Sequence, residues 1–453
     1  MDTLFWRMSA HERLRVEVVW VWFLDQTPEW GAFLSGCDWM TRAMPRLRHR
    51  VDESVLHIGV PHWSPDPDFR LSRHVHRMRL PAPGGLRELL DLVEWRASGT
   101  LDRRRPPWEA TLVEGYADGR AAVVLKWHHA IADALGIQIA MRNLLPRSPR
   151  MRMPSVHASV PSPTDGNRVQ SRNPLPRLGR TARFALQDAG TLLTAAAGES
   201  VRAMLASDEA GARLRRAARN LRSVVSPVEP SPLLRRRSHE LHYGLVSVPL
   251  PGLRAAGKRT GVSVNSVFVA AILGAFHAYH RHHGLAHEAI PVMLPVSIRE
   301  PSQPGAGNHV AAIRIAGHVG NLTPVERMLT VHNTVSRARH DLMDGLYPIL
   351  AANTRWVPPP LFGLVAPVLA QGVDLVVTGV PGLAQDTYVA GARIVDAVPW
   401  APRGPSAANI TTASHGDMCG IGVNLDPAAV TAPDLFHRCL ELSFEDVLTA
   451  PGR

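Results

Sequence analysis

The segment LKWHHAIADALG (125–136) places two adjacent histidines after an apolar run and an aspartate four residues after the second. A neutral imidazole can take a proton from a hydroxyl or a thiol, because its pKa lies close to the working pH. His128 and His129 are therefore candidates for a general base. Asp133 is a candidate for capping the next helix or for holding the loop through an arginine. A bare histidine pair is also common in structural turns, so a purely structural role stays open on these residues alone.

The elements around the motif favour a functional position. AAVVLKW (121–127) predicts a buried strand, and residues 134–145 predict a helix that Pro146 ends. The histidines then lie in the connection at the carboxyl end of a strand, where active sites of α/β proteins gather. A third ligand at a recognisable spacing is missing, so no metal is expected.

Strand and helix patterns alternate in two blocks, which predicts an α/β fold with two lobes. The predicted strands lie near 15–24, 121–127, 240–250, 289–299, 373–382 and 416–426, and the predicted helices near 83–98, 134–145 and 263–283. A segment rich in Pro, Ser and Arg begins at residue 146 and reads as a linker. The predicted parts are an N-terminal lobe (1–145), a linker with a basic helical crossover (146–238) and a C-terminal lobe (239–453).

The chain is basic, and arginine carries nearly all of the positive charge. It has 453 residues and a formal net charge of +11, and Lys126 and Lys258 are the only lysines. Guanidinium groups suit phosphates, which fits a phosphorylated co-substrate. No zinc finger, RNA-recognition signature or basic zipper is present, so no nucleic-acid partner is expected. The basic helical segment 178–223 is either a connecting helix with a solvated arginine face or a surface that touches anionic lipid.

The cysteines and the apolar runs indicate the cellular compartment in which the protein is expected. Cys37, Cys419 and Cys439 are too few and too scattered for a disulfide framework. The start of the chain lacks the pattern of a secretory signal, and its apolar runs are too short or too interrupted to span a bilayer. We therefore expect a cytoplasmic protein, with peripheral contact at the inner membrane face or at lipid droplets. Oligomeric state is not predicted.

Several segments, taken in their order along the chain, resemble motifs of one protein family. His128, His129 and Asp133 resemble the H-H-x-x-x-D-G signature of acyl-CoA-dependent acyltransferases with the chloramphenicol-acetyltransferase-like fold. The other segments resemble motifs of the bacterial wax ester synthase/diacylglycerol acyltransferase family. They are MDTLFW, the Pro-Pro-Trp at 106–108, VNSVFVAAILGAF with Asn265, LPVSIRE with Arg299, GAGNHVAAIRI with Asn308, and LVVTGVPG with Gly379.

The resemblance implies two similar lobes with the histidine motif at their junction. It implies transfer of a long-chain acyl group from coenzyme A, as a co-substrate rather than a bound cofactor, to diacylglycerol or a long-chain alcohol. It implies that His129 is the general base and leaves His128 and Asp133 with structural roles. We expect Trp108 to pack behind the site and Asp133 to pair with Arg299. Candidates for the oxyanion donor are the Asn265 and Asn308 amides and a backbone N–H near Gly379.

Three positions depart from the family pattern. Ala134 replaces the glycine that follows the aspartate, Ser266 replaces an aspartate, and Gly379 replaces an asparagine. These changes spare the histidines and bear on substrate choice and turnover. Two other functions remain open: a condensation-type acyltransferase that uses carrier-protein thioesters, and a non-catalytic lipid-binding protein.

Overall fold

The computed structural model of the chain describes residues 2–10, 14–53, 61–133, 136–137, 140–141, 144–149, 228–297, 310–343 and 372–452. The strands are β1 Glu17–Leu24, β2 His49–Asp52, β3 His62–Pro65, β4 Val75–Arg79, β5 Trp108–Tyr116, β6 Arg120–His128, β7 His242–Pro249, β8 Ala289–Ser297, β9 Val310–His318, β10 Leu375–Val380, β11 Tyr388–Val389, β12 Ala392–Trp400, β13 Ala408–His415 and β14 Met418–Leu425. The helices are α1 Asp2–Met8, α2 Trp30–Ala43, α3 Leu86–Ser98, α4 Leu250–Thr260, α5 Val264–His282, α6 Pro324–Met343 and α7 Pro433–Thr449.

The first sheet has six strands in the order β11-β12-β1-β6-β5-β4. Its pairs are antiparallel except for β4 and β5, which run parallel. The central strand β1, EVVWVWFL, is buried along nearly all of its length. Such a continuous apolar run fits a strand that is covered on both faces.

The second sheet also has six strands, in the order β7-β14-β13-β10-β8-β9. Helices α4, α5 and α7 pack against it and share one large buried core with its strands. Residues 266–276 of α5 are buried without interruption, so α5 is the central helix of this lobe. The sequence predicted this helix from its apolar composition.

The two sheets are joined by strand exchange as well as by packing. β12 belongs to the second half of the chain, yet it pairs with β1 in the first sheet, with Val19 opposite Trp400. It crosses β14 closely, and a Cβ built on Gly422 would lie 2.0 Å from the carbonyl oxygen of Pro399. Only glycine permits that approach. The predicted boundaries of the two lobes and the linker remain a prediction. Residues 388–400, from the second half of the chain, complete the sheet of the N-terminal lobe.

Helix α2 was not predicted, because its two glycines weaken the helical pattern. The Glu29 carboxylate caps it and accepts hydrogen bonds from the backbone N–H groups of Gly31 and Ala32 at 2.7 and 2.6 Å. This cap satisfies two of the donors that the first turn leaves unpaired.

None of the described helices is by itself long and apolar enough to cross a membrane. α4 and α5 reach that length and composition only when taken together, and they are bent by 99° where they meet.

Candidate active site

The structure fixes the backbone of both histidines from two sides. β6 ends at His128, so the first histidine belongs to the strand and His129 is the first residue beyond it. The N–H of His128 donates to the carbonyl oxygen of Pro107 at 2.9 Å, and the N–H of His129 donates to that of Val16 at 3.2 Å. The backbone at this end of the strand is therefore held by the segments on both sides of it.

The His128 ring is buried, and both of its nitrogens are engaged. Nδ1 accepts a hydrogen bond from the N–H of Ala130 at 3.0 Å, which assigns the proton of the neutral ring to Nε2. Nε2 then donates to Ser9 Oγ at 2.7 Å. Burial, reinforced by Arg103 and His129, lowers the pKa of His128 to about 3. A neutral ring with no spare nitrogen is suited to holding the loop and not to moving a proton.

The partner of His128 is held by a network behind it. Ser9 Oγ accepts a hydrogen bond from Arg103 Nη1 at 2.7 Å and donates its own proton to the carbonyl oxygen of Trp6 at 2.9 Å. The Arg103 guanidinium lies 4.0 Å from the centre of the Trp6 ring, a cation–π contact. Glu53 accepts from Trp6 Nε1 at 2.6 Å and from Arg103 at 3.2 Å. The polar atoms facing His128 are thus satisfied.

His129 is half-buried, and its ring meets the first helix. The Phe5 ring stacks on it with centroids 4.1 Å apart and an interplanar angle of 21°. Phe5 and Trp6 are adjacent on α1, so one short helix contacts both histidines. Sequence reasoning missed these contacts, although the opening MDTLFW, singled out only as a family segment, contains both aromatic residues.

Asp133 is buried and stands at the N-terminus of the helical segment that follows the motif. Its Oδ1 accepts a hydrogen bond from the N–H of Gly136 at 2.7 Å, and its carbonyl oxygen accepts from the N–H of Ile137 at 3.0 Å. This is the geometry of an N-cap residue. Ala134, where the family has glycine, lies outside the described residues.

Trp108 begins β5 and is paired in register with Trp127, the residue before the histidines. Its indole N–H donates to the carbonyl oxygen of Leu47 at 2.7 Å, and its ring stacks on His74 with centroids 4.9 Å apart. Trp108 therefore packs at the strand end that carries the motif.

The remaining candidates fall into two groups. Asn265 and Gly379 come together, since a Cβ built on Gly379 would lie 3.4 Å from Asn265 Oδ1, and both residues are exposed. Arg299 and Asn308 lie outside the described residues. The predicted pairing of Asp133 with Arg299 therefore stays a prediction. The role of each as an oxyanion donor stays a prediction.

The motif loop also reaches the second half of the molecule. Ile131 and Ala132 share one buried cluster with Leu383 and with Ala413 of the second sheet. Arg46 donates to the carbonyl oxygen of Ile131 at 3.0 Å, which supports the loop from the N-terminal side. The histidine motif therefore lies where the two lobes meet.

A long apolar cavity opens beside this junction, on the face of the first sheet to which Trp127 belongs. It encloses about 820 Å³ of empty space, mouth included. Its walls come from the sheet, from α2, from the segment after the motif and from the tip of the β11–β12 hairpin, and they include Trp22, Phe33, Met40, Trp108, Ile137 and Ala390. The apolar lining is that of a small-molecule site.

Within the described part of the chain, no group of three or more His, Cys, Asp or Glu side chains is placed to hold a metal ion.

A two-lobed α/β fold with a histidine motif between its lobes defines the class of chloramphenicol-acetyltransferase-like acyltransferases. Among solved structures, the chain is similar to a wax ester synthase/diacylglycerol acyltransferase from Marinobacter aquaeolei VT8, with a TM-score of 0.64 and 20% identity over 98% of this chain and 97% of that one. It is also similar to the first condensation domain of the calcium-dependent antibiotic synthetase, with a TM-score of 0.62 and 14% identity over 100% and 96%. At these identities the likeness shows the fold, and condensation domains share it.

The family is shown by the sequence comparisons. The wax ester synthase/diacylglycerol acyltransferase catalytic domain matches residues 1–268, and the C-terminal domain of the same family matches residues 306–447. A Mycobacterium tuberculosis protein named as a diacylglycerol O-acyltransferase is 33% identical over 100% of this chain and 91% of its own length. A second one from that organism is 30% identical over 83% of this chain and 78% of its own length. The chain belongs to the wax ester synthase/diacylglycerol acyltransferase family and is an O-acyltransferase.

Proposed function

We propose that this enzyme moves a long-chain fatty acyl group from coenzyme A to the hydroxyl of diacylglycerol or of a long-chain alcohol, with His129 as the general base. The observation that carries the proposal is the unequal burial of the two histidines. His128 is buried, neutral and bonded at both nitrogens. His129 is the half-buried ring beside it.

In this mechanism His129 takes the proton of the acceptor hydroxyl as its oxygen attacks the thioester carbonyl. The tetrahedral intermediate collapses to the ester, and the leaving thiolate of coenzyme A takes the proton from His129. General base catalysis of this kind contributes roughly 100- to 10,000-fold. Holding both substrates between the lobes supplies a further part of the rate, because the reaction becomes effectively unimolecular.

The family and the cavity favour this function over the two alternatives. Condensation domains share the fold, so the fold alone does not separate them from lipid acyltransferases. The match to both family domains favours a lipid acceptor, and the apolar cavity supplies room for a chain. The same family membership favours an enzyme over a non-catalytic lipid-binding protein.

The test is a coenzyme A release assay with palmitoyl-CoA and either diolein or hexadecanol. We expect His129→Ala to lower kcat at least about 100-fold with either acceptor. Its unfolding transition should stay close to that of the wild type, because His129 is only half-buried. A His129→Ala enzyme that keeps wild-type turnover contradicts the base assignment. Turnover with carrier-protein thioesters alone favours the condensation alternative.

The place of the reaction follows from its substrates. We expect the enzyme to work in the cytoplasm, where acyl-CoA is made, and to meet its lipid acceptor at the inner membrane face or at lipid droplets. The basic segment 178–223, for which contact with anionic lipid is one of the two predicted roles, lies outside the described residues. Co-sedimentation with anionic and with neutral vesicles measures the contact, and equal binding to both would contradict an electrostatic one.

A further inference from the structure

We propose that the cavity of the first lobe holds the acyl chain of the donor thioester and that Gly36 of α2 sets the chain length it admits. This inference rests on the proposed function for the identity of the donor. It concerns a part of the molecule that none of the family segments includes, since Gly36 lies between MDTLFW and the Pro-Pro-Trp segment.

Gly36 is a glycine in the middle of a helix, where it costs about 1 kcal/mol relative to alanine. Two ordinary reasons for such a glycine are missing. It is not among the glycines with positive φ, and a Cβ built on it would meet no atom within 4 Å. Neither backbone conformation nor packing against the protein therefore requires glycine at this position.

The space beside Gly36 belongs to the cavity. Gly36 lines it together with its neighbour Cys37 and with Phe33 and Met40, about one helical turn to either side. These residues form the face of α2 that looks toward the first sheet. A larger side chain at residue 36 would therefore occupy space that a ligand can use.

The occupant we infer is a single unbranched chain. The walls are mainly aromatic and aliphatic, with Cys37, Thr41, Glu109 and Lys126 also at the border, and the cavity's methionines supply adaptable apolar surface. Diacylglycerol carries two chains and a polar glycerol unit, whose oxygens would need hydrogen-bonding partners inside an apolar site. The chain of the donor thioester needs none; the chain of a long-chain alcohol needs none either, and the acceptor profile tests that occupant.

The cavity is also placed for the donor. It is bounded by Trp108 and Trp127 at the strand ends that carry the motif and by Ile137, four residues beyond the capping Asp133. At the far side the turn of the β11–β12 hairpin contributes Val389 and Ala390. A chain that enters beside the histidines would therefore run under α2, and its length would be limited by the walls.

The experiment compares Gly36→Leu with the wild-type full-length enzyme over a series of donors from decanoyl-CoA to stearoyl-CoA, with one fixed acceptor. Each methylene that loses its buried place costs about 4-fold in affinity, from ~0.8 kcal/mol per methylene. A leucine side chain that displaces two to four methylenes should therefore lower kcat/KM for palmitoyl-CoA about 15- to 250-fold relative to decanoyl-CoA. Gly36→Ala should shift the preference in the same direction by a smaller factor.

Ser35→Leu is the matched control, since Ser35 is exposed, lies one residue earlier on α2 and is not part of the cavity wall. Its donor profile should equal that of the wild type. The thermal midpoint of Gly36→Leu should not fall, because leucine is a better helix former than glycine, its Cβ meets no atom within 4 Å and the rest of its side chain can enter the cavity.

Binding of the unreactive thioethers S-hexadecyl-CoA and S-decyl-CoA, measured by calorimetry, separates this inference from the catalytic proposal. Gly36→Leu should weaken the hexadecyl compound selectively, whether or not His129 is the base. An unchanged donor profile, a shift in the acceptor profile in place of the donor profile, or a wild-type enzyme that binds neither thioether would each overturn the inference.

Discussion

Alternate residues of the same strands form the two faces of the first sheet. One face is packed against other parts of the protein, and we call it the filled face. The other face borders the apolar cavity, and we call it the hollow face. On the filled face lie Lys126 and His128, and both have hydrogen-bonding partners. On the hollow face lie Val123, Leu125 and Trp127, which line the apolar cavity. Because side chains alternate along a strand, neighbouring residues of β6 serve different purposes.

The filled face shows how polar groups are fixed inside a protein. Lys126 Nζ donates to the carbonyl oxygens of Arg96, at 2.8 Å, and of Gly99, at the C-terminal end of α3. Further along, Val19 and Val21 of β1 share a cluster with Tyr243 of the second sheet. This face therefore ties the sheet to its helix and to the other lobe, whereas the hollow face leaves room for a substrate.

Trp108 gives the largest expected loss of stability, because it is a buried tryptophan in the wall of the hollow face. Trp108→Ala should lower the free energy of unfolding by about 3–5 kcal/mol, the usual cost of removing a buried tryptophan. Trp108→Phe keeps a ring and loses the indole hydrogen bond to Leu47, so it should cost only about 1 kcal/mol. Denaturant unfolding measures both. Equal losses in the two variants would show that the hydrogen bond, and not the ring, holds this wall.

His128 tests the filled face. His128→Asn should lower the free energy of unfolding by about 1–3 kcal/mol at neutral pH, since buried hydrogen-bonding groups lose their partner. The folded pKa of His128, about 3, is below its unfolded value near 6.5. The unfolded state therefore binds more protons between these values, and wild-type stability should fall as pH falls through that window.

In His128→Asn the part of the fall of stability with falling pH that His128 causes should be missing. The control is His239→Asn, which changes an exposed histidine and should leave both stability and slope unchanged. A fall of stability with falling pH that is as steep in His128→Asn as in the wild type contradicts a buried neutral ring, because other buried histidines also contribute to this fall.

Lys126 extends the test to alkaline pH. Burial is the main cause that lowers its pKa to about 8, against 10.5 for an exposed lysine. Between these values the unfolded state binds the extra proton, so Lys126 makes stability rise with pH from about 8 to about 10.5. Subtracting the pH profile of Lys126→Met from that of the wild type isolates this rise. Lys258→Met, at an exposed lysine, should show no such difference.

Ala390 gives the smallest expected effect, at the far side of the hollow face. Its φ is +47°, a left-handed conformation that disfavours residues with a side chain. Ala390→Gly should therefore raise the free energy of unfolding by up to about 1 kcal/mol. Ala392→Gly, two residues later in β12, should lower it by about as much. A loss of stability in Ala390→Gly would mean that its methyl contact with the cavity outweighs the strain.

Much of the fold could be predicted from local patterns. The strand at 121–127 and the helix at 263–283 were predicted within a residue of the observed β6 and α5. Helix α2 was missed because its glycines hide its period and its cap is a glutamate. The insertion of β12 into the first sheet could not be predicted, since pairing between residues as distant as Val19 and Trp400 leaves no local pattern.

Only part of the site was predicted, because spacing in the sequence reports on neighbouring residues and not on contacts between distant segments. The histidine pair and the N-cap position of Asp133 follow from neighbours in sequence. The contacts of His128 with Ser9 and of His129 with Phe5 join segments more than a hundred residues apart. The partners of the two histidines were therefore outside the reach of spacing arguments.

By itself the sequence determined the α/β class, the family and the histidine motif, because these depend on residue types at fixed short spacings. Only the tertiary structure decided which histidine is buried with both ring nitrogens hydrogen-bonded, and which face of the sheet borders the cavity. Both depend on burial and on hydrogen bonds between distant segments, which exist only once the chain has folded.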